Sequence, residues 1–92
     1  MDIKVLKKDR NEVLIEIEGE DHTLGNLIAK EAIKHPAVKN AYYTMPHPLQ
    51  KKIEFYILVD ENSDLNTVIK EVFNNIKRYL EEFRREIEEK IG

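Results

Sequence analysis

The three histidines, His22, His35 and His47, are the side chains of this chain best suited to acid–base or metal chemistry. No two of them stand four residues apart, the spacing that places two metal ligands on one face of a helix. The sequence has no cysteine, and its only serine, Ser63, is flanked by residues typical of a helix N-terminus. A glycine-rich phosphate loop and a nucleophile elbow are both missing from the sequence. We therefore expect no catalytic site, no metal site and no cofactor.

Length and charge limit the classes of function further. A chain of 92 residues has the size of one domain, so we expect a single domain over residues 1–92. Its 15 Lys and Arg and 18 Asp and Glu give a net charge of -3, which is unfavourable for an autonomous nucleic-acid-binding protein. No apolar run approaches the roughly 18 residues of a membrane span, and the first residues do not form a hydrophobic signal segment. We therefore expect a cytoplasmic protein.

Alternating apolar and charged side chains predict the first two structural elements. Residues 3–8 and 12–18 both show this strand pattern, and residues 9–11 between them are typical of a turn. The two strands should form an antiparallel hairpin. In the first strand, the alternation places Lys7 on the same face as Val5.

The spacing changes to that of a helix after the hairpin. Thr23 is expected to cap a helix whose apolar residues recur at helical intervals until Pro36 ends it. Residues 37–45 and 52–59 predict two more strands, separated by a proline-containing connection at 46–51. A second helix should follow and continue to the end of the chain.

The order of elements defines the predicted fold. It is strand-strand-helix-strand-strand-helix, and strands with one apolar face belong in an antiparallel sheet that is covered on one side. We therefore predict an α+β fold in two layers, with a four-stranded antiparallel sheet and two helices on one face.

The last helix is expected to be too long for the domain. Residues 64–91 would span about 42 Å, whereas a compact chain of this size has a diameter of roughly 32 Å. The helix should pass the sheet by about two turns or more, unless it frays after Leu80. We interpret its charged residues as a solvated face. An apolar stripe without cover marks a partner surface, and this stripe ends with Leu80, Phe83, Ile87 and Ile91.

Gly25 lies in the first turn of the first predicted helix. A glycine there is less favourable than alanine by about 0.8–1 kcal/mol. The compensating benefit is close approach of another backbone or side chain. A glycine that is merely tolerated in a frayed first turn is the alternative.

Two motifs in this chain resemble a known family. The run Asp21–Ile28, which reads DHTLGNLI, resembles the signature of the small alpha-like subunits of RNA polymerase. Residues 43–49, YTMPHPL, are similar to the Tyr-x-x-Pro-His-Pro-Leu element of the same family. Length, order of elements and the long last helix agree, so the resemblance covers essentially the whole chain. The family includes archaeal subunits, the eleventh subunit of eukaryotic polymerase II and the dimerisation domain of bacterial alpha.

The resemblance implies a non-catalytic structural subunit of a DNA-directed RNA polymerase. It implies a heterodimer with the larger alpha-like subunit (designated D in archaea) as the assembly platform for the large subunits and other small subunits. In this family the dimer is built chiefly by helices, so we expect Gly25→Leu to disturb dimerisation far more than folding. The partner-binding residues would be Thr23, Leu24, Gly25, Asn26, Leu27 and Ile28 of the first helix and Leu80, Phe83, Ile87 and Ile91 of the last.

A small module outside the polymerase, which binds nucleic acid or associates with itself, is the alternative. Tyr42 and Tyr43 could stack on bases, although half of any strand faces inward. A modest basic patch would be formed by Lys7, Lys8, Arg10, Lys51 and Lys52.

Overall fold

The chain forms four strands and two helices in a computed structural model that describes residues 2–47 and 49–91. The predicted order of elements and the α+β class are confirmed. Pro48, which belongs to the predicted connection at 46–51, lies outside the described residues. The elements are β1 (Asp2–Lys8), β2 (Glu12–Glu18), α1 (His22–Lys34), β3 (Val38–Thr44), β4 (Lys52–Val59) and α2 (Leu65–Ile91).

The strands form one antiparallel sheet in the order β1-β2-β4-β3, and β1 and β2 make the predicted hairpin. A bulge at Leu6 interrupts the pairing of β1: Val5 pairs with Ile15, but Lys7 pairs with Leu14. An extra residue in one strand shifts the alternation of its side chains. The predicted placement of Lys7 on the face of Val5 is therefore wrong, because the bulge turns Lys7 to the other face.

Both helices lie on one face of the sheet, where α1 contacts β3 and β4, and α2 contacts α1. Strand β4 forms the centre of the core, since every second one of its side chains, from Ile53 to Val59, is at most 3% exposed. Helix α2 contributes only through its N-terminal part. Its buried side chains are Leu65, Val68, Val72 and Ile76.

Carboxylate side chains begin both helices. Asp21 is the N-cap of α1 and accepts a hydrogen bond from the Thr23 backbone N–H at 3.0 Å. Thr23 is not the cap that the sequence predicted, because the last extended residue before the helix is Asp21. Asp64 precedes α2 and accepts hydrogen bonds from the Thr67 hydroxyl and backbone N–H at 2.6 and 3.1 Å. These bonds hold the pKa of the Asp64 carboxyl below its ordinary value.

The other face of the sheet carries a polar and aromatic cluster. Tyr42 and Tyr56 are directly paired across β3 and β4, with ring centroids 5.0 Å apart. The Tyr56 hydroxyl donates a hydrogen bond to the Glu12 carboxylate, which also pairs with Lys7 at 3.5 Å. Leu14 is the cross-strand partner of Tyr56, so it lies on this face of the sheet, opposite the helices.

Replacing Tyr56 with Phe is expected to remove a contribution to stability that depends on pH. The hydrogen bond to Glu12 raises the pKa of Tyr56 from 10.0 to about 12, so the contribution is lost as the pH rises from about 10 to about 12. The same bond lowers the pKa of Glu12 below 4.5, so the contribution is also lost as the pH falls through the lowered value. Urea unfolding of both proteins across the pH range should show a plateau in their difference in unfolding free energy, declining at both ends.

Tyr42→Phe is the matched control for this comparison. Tyr42 stacks on Tyr56 in the same cluster, but its hydroxyl forms no hydrogen bond to another side chain within residues 2–47 and 49–91. Tyr42 is not among the groups that lower the pKa of Glu12, so the difference between wild type and Tyr42→Phe should stay flat at the acidic end. A Tyr56→Phe difference that is equally flat at that end would contradict the assignment.

Candidate partner-binding surface

Helix α2 extends well beyond the rest of the domain. Its 27 residues span about 40 Å, and the molecule measures 47 × 36 × 17 Å. The radius of gyration is 14.5 Å, against about 12 Å for a compact chain of this length. Every residue from Lys77 to Ile91 is exposed, and we call residues 77–91 the tail. The tail is about four turns long, and the helix does not fray after Leu80.

Large apolar side chains occupy one side of the tail. Leu80, Phe83 and Ile87 follow one another at intervals of three and four residues and are 48, 54 and 40% exposed. Ile91 continues this side of the helix and is 82% exposed. Apolar area in water is unfavourable by roughly 25 cal/mol per Å², so a stripe of this size indicates a surface that a partner covers.

A second apolar region lies between β1 and α2. Ile3 and Val5 point to the helical side of the sheet, yet they remain 58% and 60% exposed. Together with Ile15 and Phe73 they line a groove that runs between β1, β2 and α2. The two helices lie on the predicted face of the sheet but leave its apolar side chains on β1 partly uncovered.

The groove and the tail join into one surface, because Phe73 lies on the same side of α2 as Leu80, two turns earlier. The sequence pattern predicts only the tail residues of this surface. Ile3, Val5 and Phe73 have the same spacing as covered residues. They are exposed only because of the position of α2 relative to β1. We use the term apolar surface for Ile3, Val5, Phe73, Leu80, Phe83, Ile87 and Ile91.

Helix α1 presents less to a partner than the sequence predicted. Ile28 is 1% exposed and belongs to the core, and Gly25 is buried. Other parts of the same chain cover these two residues, so they expose little area to a partner, and their contact with a partner stays a prediction. Leu24 is half-buried and lines the groove. The residues of the predicted α1 set that reach the surface are Thr23, Leu24, Asn26 and Leu27.

Gly25 is covered by the ring of Tyr43. A Cβ atom added at Gly25 would lie 2.5 Å from Tyr43 Cδ2 and 2.7 Å from Tyr43 Cγ. The Tyr43 hydroxyl also forms a 2.9 Å hydrogen bond with His22 Nδ1, and the two rings meet edge to face. The two family-like motifs therefore pack against each other within one chain. Close approach at Gly25 is confirmed, and a side chain of the same chain accounts for it. The expected effect of Gly25→Leu on dimerisation stays a prediction.

His35 links the two helices through hydrogen bonds. His35 Nδ1 accepts a hydrogen bond from the Ala37 N–H at 3.0 Å, so His35 Nε2 carries a proton and donates it to Glu71 at 2.9 Å. This contact ties the end of α1 to α2. Across residues 2–47 and 49–91, no three His, Asp or Glu side chains are grouped to hold a metal ion. Neither helix in that part of the chain has the length and apolar character needed to cross a membrane.

A comparison with known families identifies the family of this chain. A sequence profile of the family described as "RNA polymerase Rpb3/Rpb11 dimerisation domain" matches residues 12–86, which is most of the chain. This chain belongs to the Rpb3/Rpb11 family. The matched span contains all of α1, both motifs that meet at Tyr43, and the tail as far as Glu86. β1 precedes the span, so the strand that borders the groove lies outside the family match.

Individual relatives agree with membership of the Rpb3/Rpb11 family. DNA-directed RNA polymerase subunit Rpo11 of Saccharolobus solfataricus is 40% identical over 88 residues, which are 91% of this chain and 96% of the relative. Rpo11 of Saccharolobus islandicus is 57% identical over 60 residues, and the chain spans 65% of that relative's length. Subunit L of DNA-directed RNA polymerase from Thermoplasma acidophilum has the same fold. Its crystal structure matches with a TM-score of 0.79 at 21% identity, covering 97% of this chain and 87% of that chain.

Proposed function

We propose that this chain is a non-catalytic structural subunit of a DNA-directed RNA polymerase and acts in the cytoplasm. It forms a heterodimer with the larger alpha-like subunit (the one designated D in archaea), and the heterodimer is the platform on which the large subunits assemble. Two findings support this proposal: the family is described as a dimerisation domain, and the relatives are named as polymerase subunits.

The observation that carries the proposal is the apolar surface. Ile76 is the last buried residue of α2, so the four exposed turns that follow it do not contribute to the core of the domain. These turns nevertheless carry an apolar side. Apolar contacts with another helical protein would cover the tail, and the groove beside β1 would accept part of the same partner. The half-buried Leu24 lines the groove, and Thr23, Asn26 and Leu27, which also reach the surface, complete the proposed interface.

Most residues of the nucleic-acid alternative already have contacts within the chain. Tyr43 packs on α1, and Tyr42 stacks on β4. Lys7 and Lys52 pair with carboxylates of β2 at 3.5 and 3.2 Å. These contacts lower the number of free cations and aromatic faces that a nucleic acid would need, so the observations favour the dimer.

Co-expression with the larger alpha-like subunit of the same organism tests the proposal. We expect the two chains to co-purify as a one-to-one complex whose mass, measured by light scattering, equals that of a heterodimer. Large subunits added to this complex should join it, and they should fail to associate when this chain is omitted. Separate elution of the two chains at equal concentration would contradict the proposal. Nucleotide incorporation by the chain alone would contradict its non-catalytic role.

A further inference from the structure

A row of basic side chains follows one flank of the apolar surface. Lys70, Lys77 and Arg84 are seven residues apart, so they follow one flank of α2 with a drift of only about 20° per step. Each stands three residues before a member of the apolar surface, the spacing of adjacent side chains on a helix. The shallow surface around Phe83 carries mixed charges, because Glu82, Glu86, Glu89 and Arg85 all line it.

The basic flank is available for contacts with another molecule. Lys70 and Lys77 are exposed and form no ion pair in the part of the chain that the structure describes. Arg84 contacts Glu88 at 3.5 Å, but both side chains are more than half exposed. An exposed pair of this kind contributes little to stability, and a partner's carboxylate could replace Glu88.

The basic flank disfavours binding of a second copy of this chain to the apolar surface. The apolar surface has its groove at one end and its tail at the other, so two copies bury both ends only when their α2 helices run antiparallel. A two-fold axis then brings equivalent patches together. In an antiparallel helix pair each flank faces the same flank of the other helix, so the basic flanks of the two copies meet. Like charges across an interface act against that pairing.

We infer that Lys70, Lys77 and Arg84 select the partner. The apolar surface is suited to a helix that carries acidic side chains opposite this basic flank, and it disfavours a second copy of the chain. The inference rests on the proposed function, because it assigns the acidic helix to the larger alpha-like subunit. It adds a rule of specificity, which the apolar contacts alone do not provide.

A charge-swapped copy of the chain tests the repulsion directly. The variant Lys70→Glu, Lys77→Glu, Arg84→Glu has an acidic flank, so it should repel itself as the wild type does, but attract the wild type. Sedimentation equilibrium in low salt should show the mixture associating at least about tenfold more tightly than either protein alone. Raising the salt from about 0.05 M to about 0.5 M should weaken the mixed dimer and strengthen the wild-type dimer. A mixture that associates no more tightly than its components would contradict the inference.

Binding to the larger alpha-like subunit separates this inference from the proposed function. The charge-swapped variant should bind that subunit about tenfold more weakly than wild type in low salt, with an unchanged circular dichroism spectrum. The control variant Arg78→Glu changes a charge outside the basic flank and outside the surface around Phe83, and it should bind like wild type. Equal affinities of the larger subunit for wild type and the charge-swapped variant would overturn the inference while leaving the heterodimer intact. If wild type itself does not bind the larger subunit, the proposed function is wrong, and the mixing experiment still reports on the charge rule.

Discussion

Removal of residues 80–92 is expected to leave a folded domain that has lost most of its affinity for the larger alpha-like subunit. The truncated chain keeps every core residue of α2, the last of which is Ile76. It loses the four apolar side chains of the tail, from Leu80 to Ile91, all of which are at least 40% exposed in the isolated chain. The change therefore removes contact area for a partner without opening a cavity in the domain.

The size of the loss follows from the burial of those four side chains. Each would contribute about 1.5–3 kcal/mol if it became fully buried in the complex. Ordering of side chains and loss of rotational freedom offset part of this gain. A net loss near 4 kcal/mol would still weaken association about a thousandfold. Stability should change far less, because deletion of exposed groups shifts unfolding free energy by about 0.5 kcal/mol or less.

Two measurements and two variants test this expectation. The melting temperature of the truncated chain should lie within about 5 °C of wild type, while its dissociation constant for the larger alpha-like subunit, measured by calorimetry, should rise steeply. A full-length variant with Leu80, Phe83, Ile87 and Ile91 changed to Gln should reproduce the binding defect. The matched control changes Arg78 and Glu81 to Gln, two exposed residues outside the apolar surface and outside the surface around Phe83, and should bind normally. Tight binding by the truncated chain would show that the tail is not the main contact.

The tail could be predicted from the sequence because its signal is local. Helical periodicity depends on neighbouring residues, and the comparison of helix length with domain size needs only the number of residues. The four strands and their order along the chain could be predicted for the same reason. The exposure of the β1 side chains could not be predicted, because Ile3 and Val5 alternate with charged residues just as a covered strand would. Their exposure depends on how far α2 lies from β1 in three dimensions.

Two errors of sequence reasoning share another physical cause. The bulge at Leu6 and the capping role of Asp21 each depend on one backbone geometry that several neighbouring residue types could adopt. Gly25 is different again. Its glycine signal was correct, but the side chain that fills the space, Tyr43, is distant in sequence and belongs to the second motif. A local pattern can indicate that something approaches closely without indicating what approaches.

Gly25→Ala is expected to destabilise the domain by about 1–2 kcal/mol, although alanine favours helices. The added Cβ would lie 2.5 to 2.8 Å from three atoms of the Tyr43 ring, including Cγ, the ring atom nearest the backbone. Tyr43 cannot clear this space without moving away from α1 and stretching its hydrogen bond to His22. Overpacking of this kind costs roughly 1–3 kcal/mol, and the gain in helix propensity of up to about 1 kcal/mol offsets only part of it.

A double-mutant cycle with Tyr43 assigns the cause. In a Tyr43→Ala background the ring is gone, so Gly25→Ala should become neutral or stabilising by up to about 1 kcal/mol, the helix propensity gain alone. Tyr43→Phe keeps the ring and removes only the hydroxyl, so in that background the loss caused by Gly25→Ala should persist. Urea unfolding of the six proteins gives the coupling energy, expected at about 1–3 kcal/mol. If Gly25→Ala has the same effect with and without the Tyr43 ring, close approach within the chain does not explain the glycine, and contact with a partner would again be the better explanation.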